Sequence, residues 1–301
     1  PKAVGTPRFC VDYRRLNKIT VKDTYPLPRM DDCIDFLGDA MVFSTMDCNA
    51  GYWQIPVAEE DEDKTTFTSH EGTFRYVRLP FGLTNAPATF QRALDMLLAG
   101  LKWKTCLVYL DDIIVFSSSA HEHVGHLREV LSLLAQSGIS LKASKCHLFQ
   151  EEVEYLGHIV GKGTQRVNEK NLVGLRKAHP PRTKKELRSF LGMCNVYRRF
   201  VRDYTKVARP LLAMTSPKVP DNLPALDGTQ LGAFEELKRL LTSTPVLALP
   251  RRTGRYVLDT DASKDQLGAV LLQEQADKVL KPVGYWSRGL IPAEKNYSTT
   301  E

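Results

Sequence analysis

The stretch Leu107-Val108-Tyr109-Leu110-Asp111-Asp112-Ile113-Ile114-Val115-Phe116 decides the fold of this chain. Two apolar runs rich in β-formers flank a pair of aspartates, and this pattern predicts two adjacent strands joined by an acidic turn. Aspartates at hairpin turns are ordinary, because their side chains bond local backbone groups and tolerate unusual φ angles. Taken alone, the turn therefore leaves a structural and a chemical interpretation open.

A second strand end carries a third carboxylate. The β-rich run over 41–46 ends at Asp47. If both strand ends lie side by side in one sheet, three carboxylates come together, and they stay ionised only with cations between them. Carboxylate oxygens suit Mg²⁺, which completes its shell with water and substrate phosphates. Two such ions, about 3.5–4 Å apart, activate a primer 3′-hydroxyl and stabilise phosphoryl transfer. The arrangement indicates nucleotidyl transfer.

Strands and helices alternate around these strand ends. Strand patterns are expected over 8–20, 41–46, 105–109, 113–116, 256–258 and 267–272. Helical periodicity is expected over 31–37, 88–98, 121–136, 184–204 and 231–241. His70-Glu71-Gly72-Thr73 marks a hairpin, and the Pro-rich segment 210–227 is a connector. The pattern predicts an α+β fold with helices packed on one face of a sheet.

Bulk composition restricts the class of protein. The 301 residues, 43% of them apolar, suffice for about two domains of usual size. No apolar run approaches the roughly 20 residues of a membrane span, and the first residues lack the apolar stretch of a signal peptide. We therefore expect an intracellular protein without a membrane partner. The six cysteines lack CxxC spacing, which fits free thiols better than disulfides or a zinc site.

The net charge of +6 is concentrated in one segment. Nine basic and two acidic residues lie between Arg182 and Arg209, so this segment carries +7 and the rest of the chain −1. On a helical wheel over 184–204, five basic residues share a side next to an apolar one. These five are Lys184, Lys185, Arg188, Arg199 and Arg202. A nucleic-acid phosphate backbone is the commonest partner of such a face, and a solvated basic helix is the alternative.

Three groups of motifs resemble the reverse transcriptases of gypsy-type LTR retrotransposons. Phe43-Ser44-Thr45-Met46-Asp47 with Tyr109-Leu110-Asp111-Asp112 resembles their paired catalytic motifs. Leu79-Pro80-Phe81-Gly82-Leu83-Thr84-Asn85-Ala86-Pro87-Ala88-Thr89-Phe90-Gln91 resembles their nucleotide-pocket loop. Phe9-Cys10-Val11-Asp12-Tyr13-Arg14-Arg15-Leu16-Asn17 resembles their fingers motif. The resemblance runs nearly end to end and in the right order.

The resemblance implies a right-hand polymerase with an antiparallel palm sheet, followed by an RNase H-like α/β segment. Its divisions are 1–162 for partial fingers and palm, 163–250 for thumb and connector, and 251–301 for the first part of the RNase H-like domain. We expect more fingers residues before Pro1. Asp261 resembles the first RNase H carboxylate, and the next is expected after Glu301. We therefore predict no RNA hydrolysis by this chain, since that activity needs several carboxylates.

Residue roles follow from the resemblance where the motifs match. The implied metal ligands are the side chains of Asp47, Asp111 and Asp112 and the carbonyl of Cys48. The implied substrate-binding residues are Arg8, Tyr52, Phe81, Gly82 and Tyr109. Arg8 resembles the arginine that grips the triphosphate, and Tyr52 resembles the steric gate that excludes a ribose 2′-hydroxyl. Phe81 stands where many retroviral relatives have glutamine, so stacking or shape replaces an amide contact.

The resemblance also assigns residues that act after Phe116. Lys145 resembles the lysine that donates a proton to the leaving pyrophosphate. Tyr155-Leu156-Gly157 belongs to a stretch that resembles the primer grip. The basic residues after Thr183 fall where the thumb tracks a template–primer duplex through phosphate contacts. His121-Glu122-His123 departs from the HExxH zinc motif because residue 125 is glycine, so these histidines are predicted to face solvent.

The function implied is an RNA- and DNA-directed DNA polymerase that extends a primer with dNTPs on an RNA or DNA template. The implied cofactor is two Mg²⁺ ions, with Mn²⁺ as an alternative. The implied setting is a cytoplasmic virus-like particle with a nuclear stage, beside other polyprotein domains, and the oligomeric state stays open. Two alternatives stay open as well. One is a decayed or domesticated remnant that binds nucleic acid without catalysis, and the other is an RNA-templated RNA polymerase, which Tyr52 opposes.

Overall fold

The acidic turn joins two neighbouring strands, as the apolar runs on its two sides predict. The structure is a computed structural model that describes residues 9–243 and 245–294. Its α-helices are α1 Arg14–Ile19, α2 Met30–Asp35, α3 Glu59–Glu62, α4 Ala86–Leu97, α5 Ala120–Gln136, α6 Glu169–Arg176, α7 Lys184–Val196, α8 Tyr204–Ala213 and α9 Gly228–Thr242.

The strands alternate with these helices in the first half of the chain and form two further sheets in the second. They are β1 Val42–Asp47, β2 Phe67–Ser69, β3 Gly72–Phe74, β4 Cys106–Tyr109, β5 Asp112–Ser117, β6 His147–Gln150, β7 Glu152–Tyr155, β8 His158–Gly161, β9 Thr164–Val167, β10 Val246–Ala248, β11 Tyr256–Ala262, β12 Gln266–Glu274 and β13 Leu280–Gly289. Short 3₁₀ turns lie at Gly51–Gln54, Asp63–Thr65, Ala143–Lys145 and Arg198–Phe200. The predicted α+β class is confirmed.

The chain divides into two units. Unit 1 comprises Pro1–Cys33 and Ala40–Val153, and unit 2 comprises Ile34–Asp39 and Glu154–Glu301. The division into palm, thumb and RNase H-like segments is a functional one and stays a prediction. None of the helices among the described residues is long and apolar enough to cross a membrane.

Unit 1 is built on an antiparallel sheet with the strand order β4-β5-β1-β6. The register places Met46 opposite Ile113 and Val108 opposite Ile113, so these three buried side chains lie in one row. Helices α4 and α5 supply Phe90, Leu94, Leu127, Val130 and Leu134 to the same apolar cluster. The helices therefore cover one face of the sheet, because their apolar stripes and the alternate side chains of the strands bury one another.

Unit 2 combines a helical core with two small sheets. Helices α6 to α9 enclose a cluster of buried apolar side chains that includes Leu187, Phe190 and Phe234. One sheet has the order β10-β9-β8-β7, and the other has the order β11-β12-β13. Helix α9 begins with a capping box between Asp227 and Gln230, which satisfies its first free backbone donors.

Three secondary-structure predictions are wrong, and one of them is the start of the connector over 210–227, whose first four residues belong to helix α8. The described residues of 8–20 contain helix α1 instead of a strand, because the expected alternation does not bury one face: Tyr13 is 5% exposed, but Phe9 is 62% exposed. Asp12 accepts the N–H of Arg14 at 3.0 Å and so starts the helix. The helix expected over 184–204 ends at Val196, and a 3₁₀ turn and a left-handed Asp203 (φ 55°) precede a second helix, α8.

The prediction that the histidines of His121-Glu122-His123 face solvent is wrong for one of them. His121 is exposed, but His123 is fully buried. Its ring lies between Ser44 Oγ, 2.7 Å from Nε2, and Ser117 Oγ, 2.8 Å from Nδ1. The sequence could not show this, because the two serines belong to β1 and β5 and reach the histidine only through the fold.

Candidate active site

The acidic turn is a tight hairpin between β4 and β5. Tyr109 and Asp112 are register partners, and only Leu110 and Asp111 lie between them. Leu110 has a φ of 53°, in the left-handed region that a leucine rarely adopts. Both strands are buried, whereas Asp111 and Asp112 are exposed. The fold thus sets two carboxylates at the surface on a rigid support.

Asp47 ends β1 directly opposite Asp112 in the strand register. The predicted juxtaposition of the two strand ends is therefore present. The N–H of Cys48 donates to the carbonyl of Asp111 at 3.1 Å, which ties the residue after β1 to the turn. Among the described residues, no group of three or more His, Cys, Asp or Glu side chains is arranged around one point as metal ligands.

The electrostatics of this edge reflect crowded negative charge. Desolvation raises the pKa of Asp112 to about 6, and the carboxylates of Asp111 and Asp47 add to the rise. The Lys145 ammonium opposes it, and its Nζ contacts Asp47 Oδ2. Burial raises the pKa of the Cys48 thiol to about 12, and the Asp111, Asp47 and Asp112 carboxylates add to the rise.

A buried glutamine supports the turn from helix α4. Gln91 Oε1 accepts the N–H of Leu110 at 2.7 Å, and Gln91 Nε2 donates to the carbonyl of Val108 at 3.1 Å. The sequence motif contains Gln91, but no role was predicted for it. Its position on the apolar stripe of the helix, next to Phe90 and three residues before Leu94, is the signal that could have identified it.

The residues predicted to form the nucleotide pocket lie beside the turn. The Tyr52 ring is half-buried, with its centroid 5.3 Å from that of Phe81 and 5.6 Å from that of Phe90. A Cβ on Gly51 would lie 3.4 Å from Asp111 Cβ, so the 3₁₀ turn that carries Tyr52 packs directly against the acidic turn. Burial raises the pKa of the Tyr52 phenol, and Asp111 adds to the shift.

The fingers motif fixes the loop that contains Phe81 and Gly82. Asn17 Nδ2 donates to the carbonyl of Gly82 at 2.8 Å, and Asn17 Oδ1 accepts the N–H of Thr84 at 2.9 Å. Gly82 has a φ of 97°, which suits glycine. The structure therefore brings Tyr52, Phe81 and Gly82 together, while Arg8 lies outside the described residues.

The predicted primer grip is a hairpin in unit 2. Leu156 and Gly157 connect β7 to β8 with φ values of 46° and 82°. Two positive φ angles in a row are typical of the type I′ turn that suits a two-residue hairpin. The carbonyl of Gly157 accepts from the N–H of Asn168 at 3.2 Å and from Asn171 Nδ2 at 3.1 Å. Tyr155 is buried and anchors the hairpin.

The five residues of the predicted basic face do not share one surface. Lys185, Arg188 and Arg202 are exposed. Lys184 is buried, with Nζ 3.8 Å from Asp221 Oδ1, and Arg199 is buried with NH2 3.0 Å from Asp35 Oδ1. Lys184 and Arg199 therefore do not belong to an exposed basic face as predicted, because each side chain is buried and paired with a carboxylate.

Asp261 lies in β11, opposite Gly268 of β12. Its neighbour by two residues, Asp259, is on the same face of the strand, and both line a cleft with Arg202 and Asp203. Asp261 is exposed at this cleft. The predicted first carboxylate of an RNase H-like segment therefore stands at a solvent-accessible position.

Comparison with known families divides the chain into two matches. Residues 1–160 match the family described as reverse transcriptase (RNA-dependent DNA polymerase). Residues 227–301 match the family described as the RNase H-like domain found in reverse transcriptase.

Curated relatives are polyproteins of transposons. The chain is 41% identical to the retrovirus-related Pol polyprotein from transposon opus of Drosophila melanogaster, over 98% of this chain and 30% of the relative. It is 39% identical to that from transposon 297 of the same species, over 100% of this chain and 28% of the relative. The chain thus spans less than a third of the length of these relatives.

Solved structures show the same fold. A foamy viral protease-reverse transcriptase in complex with double-stranded DNA matches with a TM-score of 0.90 and 25% identity, over 100% of this chain and 52% of that chain. A second structure of that protein with double-stranded DNA matches with a TM-score of 0.86 and 25% identity, over 100% of this chain and 62% of the other.

Proposed function

The chain belongs to the reverse transcriptase (RNA-dependent DNA polymerase) family, and we propose that it extends a primer 3′-hydroxyl with dNTPs on an RNA or DNA template. The observation that carries the proposal is the register of β1 with β5, which puts Asp47 opposite Asp112 beside the Asp111 turn. Carboxylates at neighbouring strand ends can hold the metal ions that catalyse nucleotidyl transfer, and a bound cation would draw them together.

The donor set fits Mg²⁺, because carboxylate oxygens are hard ligands. Desolvation raises the pKa of Asp112, the Asp111 and Asp47 carboxylates add to the rise, and a bound cation would oppose both effects. Asp47, Asp111 and Asp112 would hold the ions, with the Cys48 carbonyl as a further oxygen. Bound ions would activate the primer 3′-hydroxyl and stabilise the negative charge that develops on the phosphates. Substrate phosphates complete the coordination, so the protein need not supply a closed cage.

The remaining residues orient the nucleotide and the primer. The Tyr52 ring, held between Phe81 and Phe90, would lie beneath the sugar and exclude a 2′-hydroxyl. Lys145, whose ammonium contacts Asp47, would give a proton to the leaving pyrophosphate. Exposed Lys185, Arg188 and Arg202 would contact the phosphates of the duplex. The cytoplasmic particle and the other polyprotein domains stay predictions.

Primer extension on an RNA template with Mg²⁺ and dNTPs tests this function. Asp111→Asn removes one carboxylate charge with little change of volume, and Glu129→Gln makes the same change at an exposed position of α5. We expect Glu129→Gln to retain the parent rate of primer extension. Asp111→Asn should lower this rate at least about a hundredfold, because a preorganised electrostatic group is removed.

Extension that survives Asp111→Asn would contradict the assignment of the active site. No extension by either protein, with Mn²⁺ also tried, would favour a remnant that binds nucleic acid without synthesis. A template–primer binding measurement on the same samples separates that outcome from loss of folding.

A further inference from the structure

A second polar residue lies behind the glutamine that supports the acidic turn. Asp95 is one helical turn after Gln91 on α4, and its Oδ1 accepts from Gln91 Nε2 at 2.8 Å. Its side chain is 10% exposed. A carboxylate in such a place costs free energy unless it is paired and hydrogen-bonded.

Asp95 is held from two other directions. Lys102 Nζ lies 2.6 Å from Asp95 Oδ1, and the Lys102 side chain is 15% exposed. The Tyr25 hydroxyl donates to Asp95 Oδ2 at 2.8 Å, and this hydrogen bond raises the pKa of the Tyr25 phenol. Both oxygens of the carboxylate are thus engaged, and the group has little freedom to rotate. Charge-assisted hydrogen bonds of this kind are among the strong ones.

The chemistry of the two partners dictates which way the Gln91 amide points. An ionised carboxylate only accepts hydrogen bonds, so the NH2 group of Gln91 must face Asp95. The carbonyl oxygen of the amide then faces the N–H of Leu110, which only donates. With the amide turned over, two donors would meet at Leu110 and two acceptors at Asp95. The Asp95 carboxylate and the Val108 carbonyl, which accepts from Gln91 Nε2 at 3.1 Å, therefore both favour the one amide orientation that supports the turn.

The turn needs this support because Leu110 is strained. A left-handed φ of 53° is strained for a leucine, and such a conformation persists only where the surroundings determine it. Asp111 and Asp112 directly follow Leu110, so a shift of its backbone moves both carboxylates.

We propose that Asp95 is a positioning residue of the catalytic turn, which acts by orienting the amide of Gln91. Its effect on catalysis rests on the polymerase function proposed above. Its effect on the backbone of Leu110 is independent of that function. The test therefore measures the two effects separately.

The variants are Asp95→Asn, Gln91→Met and the pair of both, with Met96→Ala as the control. Asparagine keeps the size of Asp95 but both donates and accepts, so it no longer selects one amide orientation. Methionine keeps the length of Gln91 but lacks its hydrogen bonds. Met96 lies on the same helix and is 73% exposed. Thermal unfolding of each variant shows that it folds.

The first readout is hydrogen exchange of the Leu110 amide. Tyr-Leu pairs occur in this chain at 109–110 and 155–156. Protein labelled with carbonyl-¹³C tyrosine and ¹⁵N leucine therefore gives two selected amide signals, and Leu156 serves as internal reference. We expect Leu110 to exchange at least about tenfold faster in Asp95→Asn and in Gln91→Met, because exchange follows local opening. Leu156 should be unchanged, and Met96→Ala should resemble the parent protein.

The second readout is steady-state extension. We expect Asp95→Asn to lower kcat for dNTP addition about tenfold with the KM for template–primer unchanged, because misplaced groups slow chemistry more than duplex binding. In the Gln91→Met background, Asp95→Asn should have almost no further effect, because it acts through Gln91.

Leu110 exchange that stays at the parent rate in folded Asp95→Asn would overturn the inference, as would full additivity of the two substitutions. If the parent protein extends no primer, the proposed function fails while the exchange experiment still decides this inference.

Discussion

Aromatic contacts rather than polar ones fix Tyr52 beside the acidic turn. Its ring lies between Phe81 and Phe90, and this packing leaves the ring little room to move. We predict that Tyr52→Ala raises the incorporation of ribonucleotides relative to deoxynucleotides by about tenfold or more, because the space beneath the sugar opens. Extension assays with each nucleotide, rNTP against dNTP, measure the ratio.

Tyr52→Phe is the matched control, since it keeps the ring and removes only the hydroxyl. Its discrimination should stay within about twofold of the parent protein. A gate made by the ring is excluded if the alanine and phenylalanine variants discriminate equally well.

Single residues show where sequence reasoning stops. Asp47, Asp111 and Asp112 could be predicted because each sits at the end of an apolar strand, which is a local pattern. Gln91 and Asp95 could not, because their partners Leu110, Lys102 and Tyr25 come from other segments. A polar residue on a buried helix stripe says that it has a partner but not which one.

At the scale of elements, one buried histidine anchors the first turn of α5 to β1 and β5. Burial lowers the pKa of His123, and neighbouring His126 adds to the shift. The folded state therefore favours the neutral ring, whereas the unfolded chain takes up a proton below about pH 6.5. We predict that the free energy of unfolding falls as the pH drops below about 6.5, because the unfolded state then binds more protons.

Urea unfolding between pH 5 and 8 tests this dependence. In His123→Gln the free energy of unfolding should depend less on pH. The titration of a single group can change this free energy by at most about 1.4 kcal/mol per pH unit. His121→Gln, at an exposed position of the same helix, should keep it. Equal slopes for all three proteins would show that His123 is not the group that titrates.

The end of α7 at Val196 changes which basic side chains are exposed to a duplex. We predict that Lys185→Gln together with Arg188→Gln weakens binding of a template–primer duplex. The slope of log K against log salt should fall by about 0.9 for each phosphate that these two side chains neutralise in the parent protein. Fluorescence anisotropy over a salt series measures both quantities.

Arg239→Gln provides the comparison for this pair. Arg239 is exposed on α9 and paired with Glu236, so its loss should leave the slope unchanged. Arg199→Gln should instead lower thermal stability, because it leaves Asp35 without its buried partner. If the double variant keeps the parent slope of log K against log salt, Lys185 and Arg188 do not contact the duplex.

A helical wheel could predict that residues 184–204 are mostly helical, but not that the helix is interrupted. The apolar and basic stripes of α7 follow the period as far as Val196. Asp203 has a left-handed φ of 55°, which changes the direction of the chain before α8. The sequence does not predict this break, because residues 197–203 contain no proline or glycine. Tertiary packing decided it, as with most helix boundaries.

At the scale of the whole molecule, unit 2 includes six residues from the early part of the chain. Gly38 is buried there, and a Cβ at this position would lie 1.7 Å from the carbonyl oxygen of Pro250. We predict that Gly38→Ala lowers the free energy of unfolding by about 1–3 kcal/mol, because backbone must move to admit the methyl group. Chemical denaturation measures it.

Gly100→Ala is the control, because no atom lies within 4 Å of the added Cβ. It should leave stability within about 0.5 kcal/mol, as surface substitutions usually do. The close approach of Gly38 to Pro250 is refuted if both alanine variants are equally stable.

The order of domains along the chain could be predicted from the motifs, because each motif lies in one stretch of sequence. The place of residues 34–39 could not. Asp35 and Asp39 bind Arg199 and Arg251, and no local pattern links residues 164 and 212 positions apart. Contacts of this range appear only when the fold is known.

The same long separation has a consequence on the ribosome. Translation adds about 5–20 residues per second, so the 212 positions between Asp39 and Arg251 take roughly 10–40 s to synthesise. During that time residues 34–39 are without their partners, and unit 1 is completed at Val153 before Arg199 and Arg251 are made. Unit 2 therefore completes its folding only after Arg251 has been made, and residues 34–39 stay without these partners until then.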